Sequence, residues 1–191
     1  MTRALASIVV LAGLAVATPA HAAPRHHGLY LRVGIGPGYA RGHLDAPTGG
    51  GATHGVAIST QLAIGWTPRP GLVVGVGTFP MVVLAPRYDG VDAGGQHVSA
   101  TGPFVDYYPD PEGGLHLQAG VLFAAGYLDG GARASHVGVG IGATAGVGYE
   151  VHVADRWSLG AIARVTGYRL AHVDDTLSVW SPAALLAVTY H

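Results

Sequence analysis

Cysteine is absent from the 191-residue chain. That excludes a disulfide scaffold, a thiolate metal site and a cysteine nucleophile. Lysine is absent too, so all ten basic residues are arginines, set against 11 acidic ones. A balance so near neutrality offers little to a phosphate backbone, and no nucleic-acid partner is expected. Nor is there an apolar run long enough for a membrane helix. The stretch from Ala4 to Ala17 is shorter than the roughly 20 residues that a span needs. It follows Arg3 and leads to the small-x-small triplet Ala20-His21-Ala22, the pattern of a secretory signal over residues 1–22 cleaved after Ala22. Cleavage would leave one mature domain, 23–191, with nine of the ten arginines.

What the chain has in excess is glycine. Its 31 glycines are roughly twice the usual share, and they fall inside alternating segments, unlike the Pro/Gly clusters of a disordered tail. The clearest such segment is HVGVGIGATAGVGYEVH, His136 to His152. Val137, Val139, Ile141, Ala143, Ala145, Val147, Tyr149 and Val151 share one parity; glycines, Thr144 and Glu150 hold the other. Period two makes this a strand. One face is apolar throughout and the other nearly bare backbone, the reverse of what a soluble core requires. An apolar outside with a small or polar inside is the pattern of a barrel in lipid.

The same parity recurs along the chain. Leu29, Leu31, Val33 and Ile35 alternate with Tyr30, Arg32, Gly34 and Gly36 in a first strand. A second covers about Gly55 to Trp66 and a third Leu72 to Phe79. Pro80 interrupts the third, because proline removes a ladder donor and a closed barrel has no edge to tolerate it; either a bulge sits there or the strand leaves the membrane. The fourth, about Gln96 to Tyr108, contains Pro103 and shows no clean parity. The fifth runs from Leu115 to Tyr127, the sixth is the glycine-rich segment, the seventh starts at Trp157, and SPAALLAVTYH forms the eighth. Connections at Tyr39–Thr53, Arg87–Gly95, Asp129–Ser135 and Ala171–Leu177 are each at least as long as those at Thr67–Gly71, Pro109–Gly114 and Val153–Arg156. Short periplasmic turns and longer extracellular loops produce that asymmetry.

These features predict an all-β fold, an eight-stranded antiparallel up-and-down transmembrane β-barrel. The chain resembles the small eight-stranded outer-membrane barrels of Gram-negative bacteria, the outer-membrane-protein-A-like class. The likeness rests on the AHA cleavage site, the first-strand run GLYLRVGIGPGY, the arginine in GAIARVTGYRL and the closing LLAVTY. It implies outer-membrane lipid and the barrel-insertion machinery as partners, and a closing aromatic that the machinery reads. Tyr190 has the right parity for that role, although His191 is last.

On the assigned parities Arg32, Gln61, Gln118, Glu150 and Arg164 face the lumen, with Asp106 of the fourth strand a further candidate, while Trp66, Tyr149, Trp157 and Tyr190 sit at the membrane interface. An eight-stranded barrel is just wide enough for side chains to fill it, so the polar groups are expected to plug the lumen. Glycines of the sixth strand would let Tyr30, Arg32, Arg164 and Tyr168 lie across it. The competing function is a narrow pore. A second rival is a lipid-modifying enzyme, with His172, Asp174, Asp175 and Ser178 near the outer leaflet but no nucleophile signature around them. A soluble secreted ligand-binding barrel would need an apolar lumen. Eleven histidines, among them His26, His27, His43, His54, His97, His136 and His172, show no ligand spacing, and no metal or cofactor is predicted. Gly140 to Ala145 fits GxGxxA only formally, since it lies within a strand. The expectation is a structural or surface-interaction protein of the outer membrane, without enzymatic activity, whose loop partner is unknown.

Overall fold

A computed structural model describes residues 28–47, 50–129 and 136–191. The signal segment, His26, His27 and most of the Asp129–Ser135 connection lie outside these residues. Every regular element among the described residues is a strand: β1 (Gly28–Asp45), β2 (Gly51–Arg69), β3 (Leu72–Thr78), β4 (Met81–Val83), β5 (Arg87–Tyr88), β6 (Val91–Asp92), β7 (Gly95–Tyr107), β8 (Leu115–Asp129), β9 (His136–Ala154), β10 (Trp157–His172) and β11 (Asp175–Tyr190). All pairings are antiparallel. β1 bonds to both β2 and β11, which closes the sheet into a ring in which β3 and β4 together form one stave between β2 and β7. Eight staves result.

Pro80 neither bulges the sheet nor ends the stave. β3 pairs Thr78 with Leu62 and β4 pairs Met81 with Ser59, so the register on β2 is the same either side of the proline, and it is also kept against β7. The Thr60 amide donates to the Pro80 carbonyl at 3.0 Å. The reciprocal bond cannot form, because proline has no N–H. The Thr60 carbonyl instead accepts from Arg164 Nη2 at 3.2 Å, and the neighbouring Phe79 carbonyl accepts from Tyr168 Oη at 2.9 Å. Two lumen side chains from β10 thus mend the ladder. Arg164→Ala would leave Thr60 without that donor, and the variant is expected to lose about 1–3 kcal/mol of stability. Urea refolding into phospholipid vesicles measures it; a midpoint equal to that of the parent protein would show that the repair contributes nothing.

The fourth stave, β7, alternates without exception. Gln96, Val98, Ala100, Phe104 and Asp106 are buried, whereas His97, Thr101, Pro103, Val105 and Tyr107 are exposed. The expected loops are also shorter than the composition suggests. β1 continues to Asp45 and β2 begins at Gly51, β5 and β6 build a small hairpin within 87–92, and only Val173 and Asp174 separate β10 from β11. Since Tyr108 to Gly114 connects β7 to β8, loop length does not distinguish the two ends. The difference lies in the strands.

Near the turns at 70–71, 108–114 and 155–156 the outer face is apolar and the inner face polar. Near the opposite, loop-bearing end this reverses. Ala40, Leu44, Met81, Val83, Val98, Leu122, Leu128, Leu170, Leu177 and Val179 pack inside, while Arg41, His43, Asp45, Arg87 and Arg169 face out. Lipid outside favours the first arrangement and water outside the second. The reversal falls at a tier of exposed aromatics, Tyr39, Tyr127 and Trp180; a second tier, Trp66, Tyr107, Tyr149 and Trp157 with half-buried Tyr190, rings the turn end. Between the tiers the outward side chains of the described strands carry no charge. Ten residues of β11 separate Tyr190 from Trp180, which at about 3.3 Å per residue and a tilt of about 40° gives a belt of about 25 Å, the height of an outer-membrane barrel's apolar band.

Candidate functional site

The polar residues inside the turn end form one cluster. Arg32, brought inward by the parity of β1, is fully buried. Its Nη1 donates to Asp106 Oδ2 at 2.5 Å, Nε to Thr189 Oγ1 at 2.9 Å and Nη2 to Tyr108 Oη at 2.8 Å, while Glu150 Oε2 stands 3.3 Å from Nη2. Tyr30 Oη donates to Asp106 at 2.9 Å, and His116 Nδ1 lies 2.8 Å from the second Asp106 oxygen. Tyr108 in turn donates to Glu150. A guanidinium whose every arm meets an acceptor, set between two carboxylates that also hold other donors, satisfies the conditions under which buried charge is tolerated.

Small residues opposite make room for it. A Cβ on Gly148 would strike the His116 ring, and one on Gly142 would stand 2.8 Å from Tyr168 Cδ1. From β1, Tyr30 reaches Asp106 on β7, and Arg32 reaches both Asp106 and Glu150 on β9. The last residue joins them. His191 turns inward, its amide donating to the Arg156 carbonyl at 2.9 Å and its Nε2 lying 3.4 Å from Glu150 Oε1, which leaves Tyr190 as the final outward aromatic. Tyr190 packs against Trp157 with ring centroids 5.2 Å apart and accepts from Arg156 at 2.8 Å.

Of the six lumen residues named from the sequence, Arg32, Asp106 and Glu150 come together. Gln61 and Arg164 form a separate pair farther along the barrel, with Arg164 Nη1 donating to Gln61 Oε1 at 3.1 Å beneath Phe79, whose ring centre is 5.2 Å from the guanidinium. Gln118 is buried and belongs to neither, its amide making no hydrogen bond among the described residues. Tyr108, His116, Thr189 and His191 are the cluster members that sequence reading did not single out. Their inward parity, on β8 and β11 or directly after β7 and β11, was the available signal, since His116 and Thr189 alternate with outward leucines and valines.

Of the residues considered for an enzyme, Ser178 and Asp175 do not come together. Ser178 faces outward on β11 and Asp175 has the opposite, inward parity, so the two project to different sides of the sheet. His43 lies 3.3 Å from Asp45 at the exposed rim, and no group of three metal-binding side chains occurs among the described residues.

No protein-family profile and no curated protein matches the chain. Solved structures do. The fold is similar to that of Neisserial surface protein A, at 18% identity and a TM-score of 0.55, over 85% of this chain and 96% of that one. It is similar as well to the outer membrane protein OprG of Pseudomonas aeruginosa, at 9% identity and a TM-score of 0.57, over 87% and 98% of the two chains. The architecture is therefore that of the small eight-stranded outer-membrane β-barrels.

Proposed function

We propose that the chain is an outer-membrane β-barrel of a Gram-negative cell, non-enzymatic, with a closed lumen and a structural or surface-interaction role. The observation that carries this reading is the uncharged outer belt of about 25 Å between two aromatic tiers, which only a bilayer's hydrocarbon can solvate. The interior supports the non-conducting part. Charged and hydroxyl side chains fill the turn end and apolar ones the loop end, so an ion entering from either side meets a packed layer. Both ends of the described barrel, Gly28 and His191, lie at the turn end; a chain inserted from the periplasm keeps that end there and presents the opposite connections, 84–94 and 173–174 among them, to the outside, where a surface partner would meet them.

The absence of cysteine makes topology directly testable. In intact cells a membrane-impermeant thiol reagent is expected to label Asp92→Cys and Val173→Cys, and to leave Glu112→Cys and Asp155→Cys unlabelled until the cells are lysed. Purified protein in a planar bilayer should show no stepwise conductance. Release of the protein by a salt wash without detergent would overturn the membrane reading in favour of a soluble ligand-binding barrel. The reverse labelling pattern would invert the orientation, and reproducible channel steps would replace the plugged lumen with a pore.

A further inference from the structure

The sheet register lays one row of outward residues obliquely across the barrel. Val121 on β8 pairs with Ala143 on β9, Ala143 with Gly167 on β10, Gly167 with Trp180 on β11, Trp180 with Arg41 on β1, and Arg41 with His54 on β2. Because barrel strands tilt by roughly 40°, a row running across them climbs from mid-belt to the loop-side rim. Its lower part consists of small apolar residues, its middle is an indole, and its upper part carries Arg41 and His54. The adjacent row towards the loops places Arg169 on β10 across from Ser178 on β11, and Ser178 across from His43 on β1.

A groove of about 350 Å³ opens on the outer face where these rows meet, with Arg41, His43, Gly167, Ser178 and Trp180 among its walls. Gly167 forms its floor, and an added Cβ there would find nothing nearer than 4.0 Å. A second, apolar depression lies against Val105, Ala119, Val121 and Ala143. Ala143 is the ladder neighbour of Gly167, so the two hollows adjoin along the row. At the cationic end His43 is taken by Asp45. Arg41 and Arg169 have no ion-pair or hydrogen-bond partner among the described residues.

We propose that this furrow holds a membrane lipid with an anionic, phosphorylated headgroup. The phosphate oxygens meet the guanidiniums of Arg41 and Arg169, the Trp180 ring covers the interfacial part, and one acyl chain follows Gly167, Ala143 and Val121. The proposal rests on the outer-membrane reading above. A water-soluble anion would leave the apolar half of the furrow unfilled, and a second copy of the chain would bring unneutralised arginines together. Arginine suits the role, because its planar fork meets phosphate with two parallel hydrogen bonds.

The chain has three tryptophans, so Trp66→Phe with Trp157→Phe leaves Trp180 as the sole reporter in the groove. The folded double variant is placed in phosphatidylcholine vesicles containing a small fraction of chain-brominated lipid, and indole quenching is compared for brominated phosphatidic acid and brominated phosphatidylcholine. Quenching by phosphatidic acid is expected to report a preference of about fivefold for each arginine engaged. Adding Arg41→Gln and Arg169→Gln should bring the preference close to one, and Gly167→Leu should reduce quenching by either lipid while the heat-shifted gel migration of the folded barrel is kept. Equal quenching by the two lipids in the parent, or a preference that survives loss of both arginines, overturns the proposal alone. Abolition of the preference by inorganic phosphate would make this a soluble-anion site and overturn the lipid assignment. If no brominated lipid quenches Trp180 at all, the residue is not in a bilayer and the membrane reading falls with the proposal.

Discussion

Arg32→Met is expected to lower the folding stability of the barrel by about 3–5 kcal/mol, the cost of breaking a buried ion pair from one side. The side chain is fully buried, and its removal leaves Asp106 and Glu150 facing one another's cluster with no guanidinium between them. Tyr30 and Tyr108 still donate to those carboxylates, but neither hydroxyl supplies the positive charge that offsets two buried negative ones. The measurement is the urea midpoint for folding into phospholipid vesicles, with the denaturant slope checked so that a change in midpoint can be read as stability. A companion variant separates charge from packing. Replacing Arg32, Asp106 and Glu150 together with Met, Leu and Gln removes the guanidinium and both carboxylates, and it should regain most of the loss, because uncharged groups of similar volume often substitute for a buried ionic cluster at little cost. A single variant within about half a kcal/mol of the parent would mean that the cluster is already solvated, and with it the closed turn end would be lost.

How far this cluster and the barrel around it can be read in the sequence depends on one assumption about solvent. Within the belt, parity alone places Val33 outside and Arg32 inside, because hydrocarbon outside and a narrow polar lumen leave no other choice. The same rule fails above Trp180. There Leu44 and Leu177 point inward and Arg41, His43 and Arg169 outward, as in a water-soluble barrel, so a search for apolar-out parity takes strand for loop. β7 crosses both regimes, with Val98 inside near the rim and Val105 outside in the belt. Its pattern changes sign midway, which is why it shows no clean parity in the sequence although the strand is regular throughout. Pro80 was misleading for a different reason. The donor that replaces its missing N–H comes from Arg164, 84 positions away in the chain, and no local rule reports such a partner. His191 illustrates the same limit: its inward turn depends on Glu150 and on the Arg156 carbonyl, both contributed by the β9–β10 hairpin.

Glycine provides the sharpest test of the closed ring, because its inward and outward positions should respond oppositely to one added methyl group. At Gly36 a Cβ would run into the carbonyl group of Ala184 and the Cα of Leu185; at Gly140 it would meet the Arg169 carbonyl and the Cα of Leu170. Those obstacles are backbone atoms of the adjacent stave, and they can move only if the ladder moves with them. A tightly curved eight-stranded wall crowds its inner surface in this way, whereas an open or flatter sheet would leave the same positions free. Overpacking of this kind typically costs 1–3 kcal/mol at one site. Gly36 lies on β1 and Gly140 on β9, with β10 and β11 between them, so their effects should add. The double variant Gly36→Ala with Gly140→Ala is therefore expected to lose about 2–6 kcal/mol. Gly167→Ala is the outward control. Its methyl group enters the open groove, and lower chain entropy in the unfolded state makes the change neutral or stabilising by up to about 1 kcal/mol. Both variants are read as urea midpoints in the same vesicles, with heat-shifted migration confirming that a barrel has formed. If both inward alanines are accommodated at no cost while the outward one destabilises, the inner and outer faces have been exchanged, and the lipid-facing assignment of Val139, Ile141 and Val147 fails with them.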